Sequence, residues 1–392
     1  MVNKIKLFFL STFNQFIFIW IFINVLFYFR LIKIYDEYSL KLFWFFAISL
    51  GFFVIGYSFY KILRNTVYIK KDKINIDYYT KIAKFNLKLW SFLFLFEIIQ
   101  QKGFPLLWLF NGDPREYFDF GIPSLHGFIQ AFYLVSANLF FYLGKYKKSY
   151  YLISFFHFMM PLMIISRALI LFTLVSLLIN YLININLDLK KSFKILIALF
   201  GFLFVFNFVG NNRNGEIVKD LALNNYYDMA DDSIERSDFN DIMLPIYIYT
   251  TVGINNINYN LINNHNPKFT FEQSYSGLIP SFIRNVIFSD VKYEDKYGLK
   301  LAINSFNVFT CFGPYFYDFG FLGVAWHSLF LGIIASRYRI NRIRNLFDTI
   351  SFSAISFVIL ASPFWDFLMN WFFLGLLIVC SYYSKKYHKY AS

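Results

Sequence analysis

Apolar residues run along this chain in long unbroken blocks, not in stripes that alternate with polar positions. A membrane-spanning helix needs about 20 mostly apolar residues, with roughly 17 to 25 acceptable. Blocks near 7–29, 42–61, 86–102, 122–144, 149–166, 168–184, 193–210, 316–336, 347–363 and 366–384 meet that requirement, predicting about ten spans. The expected fold is therefore an all-α polytopic membrane protein. An N-terminal membrane bundle of about seven helices would occupy 1–210, and about three C-terminal helices with a basic tail would occupy 314–392. Between them, 211–313 reads as one large polar loop. Inside it the apolar segment 242–253 is too short to span and contains Pro245, which predicts a short interfacial helix. The stretch Tyr150–Ile183 holds a lone Arg167, which costs several kcal/mol in lipid unless it reaches water. Two helices turning at Ser166–Arg167 answer that cost best; one helix with a re-entrant break aided by Pro161 is the alternative.

Charge orders these blocks. Basic residues gather at alternate ends: Lys4 and Lys6; Lys61 to Lys84; Lys145, Lys147 and Lys148; Lys190, Lys191 and Lys194; Arg337, Arg339, Arg342 and Arg344; Lys385, Lys386 and Lys389. Short Lys/Arg-rich loops stay cytoplasmic, so both termini are expected inside. The 211–313 loop has eight Lys/Arg against twelve Asp/Glu, a net −4 within a chain of +13, so the remainder carries +17. Long segments cross a membrane largely regardless of charge, and this acidic one is expected on the external, periplasmic side.

Composition removes several functions. The 55 Phe and 30 Tyr accompany an equal load of Ile, Asn and Lys, the bias of an AT-rich coding genome, and read as lipid-facing or packing residues. The basic residues sit where they meet anionic headgroups, which argues against nucleic acid as a partner. Cys311 and Cys380 fall near opposite membrane faces, so neither a disulfide nor a metal cluster is expected. No Gly-rich phosphate loop, HExxH or CxxC motif is present, and no metal or cofactor is predicted. Asp36-Glu37 reads as a solvated pair. The first apolar block is too long for a signal-peptide core and lacks a small-residue cleavage site, so it is expected to remain as an anchor.

Candidate chemistry sits at the predicted external ends. Arg115, Arg167, Arg213, Arg236 and Arg284 fall where the orientation rule disfavours them. A guanidinium fork matches phosphate oxygens bidentately and keeps its charge. Arg167, Arg213 and Arg284, near membrane boundaries, would together suit a pyrophosphate; the alternative is that each snorkels to headgroups or pairs with acids. Arg236, among Asp231, Asp232, Glu235 and Asp238, reads as a solvated helix face. Glu97 shares a helical face with Gln100 and Gln101, either as packing glue or as the lining of a cavity. His126, after Pro123, is either a satisfied interfacial histidine or an acid/base, and His327 is expected to hydrogen-bond between helices. Asp318 closes the aromatic segment Asn307 to Tyr317 and is either a helix-start cap or a base. Asp366 occupies a similar position.

Three stretches carry a family resemblance: Gly103-Phe-Pro-Leu-Leu through Tyr117 to the FGIPSLHG segment ending at Gly127; Ser166-Arg167 opening an apolar helix; and Asn307/Thr310/Tyr317-Asp318-Phe-Gly320. With the overall architecture, these make the chain resemble the Wzy-type O-antigen polymerases, which polymerise oligosaccharide repeat units. An arginine-ten-residues-glycine spacing described for some members is absent after Arg167, Arg213 and Arg284. The resemblance implies a metal-independent glycosyltransferase of the bacterial inner membrane. It would join undecaprenyl-pyrophosphate-linked repeat units into O-antigen or capsular polysaccharide on the outer face, alongside a flippase and a chain-length regulator. In that reading Arg167, Arg213 and Arg284 bind pyrophosphate, Asp318 or His126 is the base, and Arg115, Glu97, Asn307 and Tyr317 support them. An O-antigen ligase, a lipid-linked oligosaccharide flippase and a metal-dependent transferase using Asp36-Glu37 are the alternatives.

Overall fold

In the computed structural model, residues 6, 8–30, 35–63, 72–115, 119–184, 238–279, 283, 299–302 and 308–391 are described. Among these residues the regular secondary structure is all helical. The helices are α1 (Thr12–Tyr28), α2 (Leu40–Leu63), α3 (Ile76–Gln100), α4 (Pro105–Phe110), α5 (Leu125–Leu143), α6 (Ser149–Phe156), α7 (Met159–Met163), α8 (Arg167–Asn184), α9 (Asp238–Ile262), α10 (Gly313–Arg337), α11 (Leu346–Ala361) and α12 (Trp371–Ala391). Three of them, α2, α8 and α10, are long and apolar enough to cross a membrane.

The helix boundaries follow local chemistry. The Asn75 side chain accepts from Tyr78 N to start α3, and Asn345 accepts from Phe347 N and Asp348 N to start α11. Pro105 and Pro314 open α4 and α10, where the missing N–H is no loss. Helix α11 interleaves small hydroxyl residues with large apolar ones and is buried nearly all round, with α8, α12 and α1 packed on it. The broadest helix pair is α10 against α2. There Gly332 meets the backbone at Phe53 and Gly56 meets Leu329, contacts a β-carbon would block.

Nine of the ten expected apolar blocks fall on helices, and the 193–210 block lies outside the described residues. The block at 149–166 is not one helix. It breaks into α6 and α7 at His157-Phe158, then turns through Ile165 into α8. The last helix begins at Trp371, so Asp366 lies in the turn before it.

Helix α9 is the main departure. The apolar segment 242–253 is only the middle of a 25-residue helix. Its contacts move steadily from Leu26, bonded by Tyr247, to Lys41, bonded to the Leu261 carbonyl, so it lies across the end of α1 and the start of α2. Asparagines hold it there. Asn258 accepts from Ser39 N and donates to the Glu37 carbonyl; Asn256 donates to Val308 O and accepts from Ala302 N; Asn260 accepts from and donates to Lys300.

Helix directions sort the remaining loops into two ends. One end carries the start of α2, α5, α8, α10 and α12, with α9 across it. The opposite end carries the basic loops. There Arg344 pairs with Asp348 at 2.8 Å, Asn345 donates to Asp72, and His388 Nδ1 lies 3.0 Å from Asp72.

Candidate functional site

At the α9-bearing end, Glu97 occupies the last turn of α3 and is wholly buried. One carboxylate oxygen accepts from Ile122 N at 2.9 Å, and the other lies 2.9 Å from His126 Nδ1 in the first turn of α5. Gln100, expected on the same face as Glu97, is exposed. The second imidazole nitrogen, His126 Nε2, lies 2.8 Å from Gln130 Nε2 one turn along α5. In the tautomer whose Nδ1 donates to Glu97, Nε2 accepts from the Gln130 amide. The His126 side chain is 21% exposed while Glu97 is closed off, so only the histidine can meet a substrate.

The backbone around this pair is demanding. Gly121 has φ +104°, and a β-carbon there would lie 2.7 Å from His126 Cγ. Phe120 meets the imidazole edge-on. Ser124, just before α5, sits at φ +67°. Ile165, two residues before Arg167, sits at φ +52°, a conformation a β-branched side chain rarely adopts. Strained backbone of this kind persists where surrounding structure imposes it, and it clusters at functional sites.

Arg167 begins α8, behind Ser166, whose hydroxyl caps Leu169 N. Helices α8 and α5 pack together, so the arginine and the His126 pair stand on neighbouring helix starts. Arg115 is committed elsewhere. Its guanidinium pairs with Asp113, donates to the Gln101 carbonyl at 2.7 Å, and lies 4.1 Å above the Trp108 ring. The Arg115 guanidinium holds the Asp113 carboxyl down to about 2.

Asp318 is wholly buried in α10, one turn beyond the helix start. Its carboxylate accepts from Thr270 Oγ1 at 3.0 Å, Ser274 N at 2.8 Å, Ser274 Oγ at 2.6 Å and Gln273 N at 3.3 Å. Its acceptor positions are filled by the 265–279 segment. Tyr317 stacks on His265, and Lys268 lies 5.1 Å above its ring.

No protein-family model matches this chain, and no curated protein or solved structure does. Geometry alone therefore sorts the candidates. Glu97 and His126 are in contact, Asp318 serves a loop, and Arg115 serves Asp113. Arg213, Arg284 and Asn307 lie outside the described residues, as do Arg236 and the rest of 211–237, 280–282, 284–298 and 303–307.

Sequence spacing missed Gln130 as the imidazole's second neighbour, although its i+4 position from His126 was a usable signal. It also missed the Tyr315–Asp366 bond, in which the Tyr315 hydroxyl donates to the carboxylate at 3.0 Å. His327, expected to bond between helices, instead stacks on Tyr315 with ring centroids 3.8 Å apart, and neither ring nitrogen has a hydrogen-bond partner among the described residues. Cys311 and Cys380 are both free and buried.

Proposed function

We propose that this chain polymerises undecaprenyl-pyrophosphate-linked oligosaccharide repeat units on the outer side of the bacterial plasma membrane. About ten spans would place the α9-bearing end and the 211–313 loop outside and the Lys/Arg-rich end inside. The observation that carries the reading is the Glu97–His126 pair. A closed carboxylate orients a partly open imidazole, the arrangement by which a histidine is set up as a general base.

The donor brings its own leaving group, so the protein needs mainly to position two lipid-linked substrates and stabilise the departing pyrophosphate. The acceptor hydroxyl displaces the Gln130 amide from His126 Nε2, and that nitrogen takes its proton as the hydroxyl oxygen bonds the donor's anomeric carbon. The bond from that carbon to the pyrophosphate oxygen breaks, and undecaprenyl pyrophosphate leaves. Arg167 receives part of its charge, helped by the first N–H groups of α8. Arg213 and Arg284 are assigned the same role from sequence. Asp318, its acceptor positions occupied, is left out of the proton transfer.

Deleting the gene and resolving the surface glycan on a gel tests the reading. Lipid capped with a single repeat is the expected result. A core bearing no repeat at all would instead mark a ligase and overturn the proposal.

A further inference from the structure

The segment Pro267–Gly277 presents two faces of different character. Residues 265–270 belong to no helix or strand, and Phe269 sits at a left-handed φ of +54°. Thr270 turns inward to the Asp318 carboxylate, and the Phe269 amide donates to the Asp318 carbonyl at 2.7 Å. Phe269 and Phe271 turn outward and are 65% and 63% exposed. Such a pair of bare rings, held rigidly from behind by a buried carboxylate, calls for an occupant.

Helix α10 indicates which. Its exposed residues Leu322, Trp326 and Phe330 follow helical spacing and form one apolar stripe on a helix long enough to cross a membrane. Phe319, half-buried, stands three residues before Leu322 on the other side of the non-helical Gly320. Phe271 meets Phe319 edge-on with centroids 5.1 Å apart, and Phe269 meets it at 6.4 Å. The loop aromatics are therefore the continuation of the lipid-facing stripe past the end of the helix. Gly320 makes the joint possible. Its φ of +59° kinks α10, and Pro267 lies 3.4 Å from where a β-carbon would stand. Exposed Lys268 flanks the rings, as cationic side chains do at headgroup level.

We propose that Pro267–Gly277 is a membrane-interface anchor, with Phe269 and Phe271 inserted at the headgroup–acyl boundary beside α10. This rests on the membrane-spanning reading above. The anchor fixes the depth of the α9-bearing end against the bilayer, and so the height at which a lipid-linked substrate is met.

The test places nitroxide labels on full-length protein in phosphatidylethanolamine/phosphatidylglycerol nanodiscs. The sites are F271C, F269C, Leu322→Cys as a lipid reference and Asn266→Cys as an aqueous reference; buried Cys311 and Cys380 stay native. Power saturation compares collision with oxygen, which partitions into lipid, and with a neutral nickel chelate, which stays in water. The expected result is oxygen-dominated relaxation at 269, 271 and 322, with nickel collision severalfold lower than at 266. Nickel-accessible labels at 269 and 271 with a lipid-like 322 would overturn the anchor and leave the spanning reading intact. Nickel access at 322 as well would overturn that reading. Labels at 269 and 271 that stay nickel-accessible but become immobilised by added oligosaccharide would assign the rings to glycan stacking instead.

Discussion

Glu97 holds His126 by its Nδ1 at 2.9 Å across 29 residues of sequence, with the carboxylate closed to solvent and the imidazole partly open. The pair fixes which imidazole nitrogen carries the proton. An amide in place of the carboxylate keeps the shape and loses that control. Glu97→Gln should therefore lower the polymerisation rate by about 10²–10⁴-fold with near-normal folded yield. His126→Gln should fall in the same range, and the double variant should lose little more, because residues that act as a unit are not additive. Single-turnover chain extension with purified protein reads this directly; full additivity would show that the two residues act separately.

Gly121→Ala tests how tightly the ring is held. The φ of +104° and the 2.7 Å approach to His126 Cγ leave no room for a methyl group. The substitution should cost about 1–3 kcal/mol and displace the imidazole. Thermal unfolding in detergent and chain-length analysis should fall together. Gly112, at φ +66° with open space around it, is the control for backbone strain without the ring contact.

Asp318 separates anchoring from proton transfer. Asp318→Ala strips partners from Thr270, Gln273 and Ser274 and should cost about 2–5 kcal/mol. The 269–275 segment should be cut sooner by protease. The remaining activity should keep the wild-type pH profile; loss of its low-pH limb would return Asp318 to the role of base.

Burial raises the Asp366 carboxyl to about 7, against the opposing hydrogen bonds from Tyr315 and Leu368 N. The folded state thus holds this proton more tightly than the unfolded chain does. Its contribution to stability is full below about pH 4 and is lost as pH rises through about 7, amounting to about 4 kcal/mol. The melting temperature should drop between pH 5 and pH 8 in the wild type and stay level across that range in Asp366→Asn. Parallel curves would exclude Asp366 as the source.

Much of the helix pattern was legible because apolar length is a strong signal. The break at His157-Phe158 was less so, since both sides of it are equally apolar and only Pro161 hinted at irregularity. Glu97 stood out as an intramembrane carboxylate, but its partner lay two elements away, and Gln100 and Gln101 were nearer by spacing. The Asp318 carboxylate looked like a helix-start cap or a base; its loop lies 44 to 48 residues earlier in the chain, a distance no local pattern spans. The asparagines of α9 were the hardest to read. Set in a chain rich in Asn throughout, Asn256, Asn258 and Asn260 looked like genomic bias. Their side chains in fact bond the backbone of two separate segments.

Those amides have a consequence for how the molecule meets its medium. A carboxamide donates and accepts at once and carries no charge, so it completes a neighbouring backbone much as an adjoining strand would. Bonds of this kind are indifferent to ionic strength. The opposite end, held in part by Arg344–Asp348, is screened as salt rises. The joints that seat α9 therefore ignore salt, while the ion pairs at either end, Arg115–Asp113 and Arg344–Asp348, respond to it.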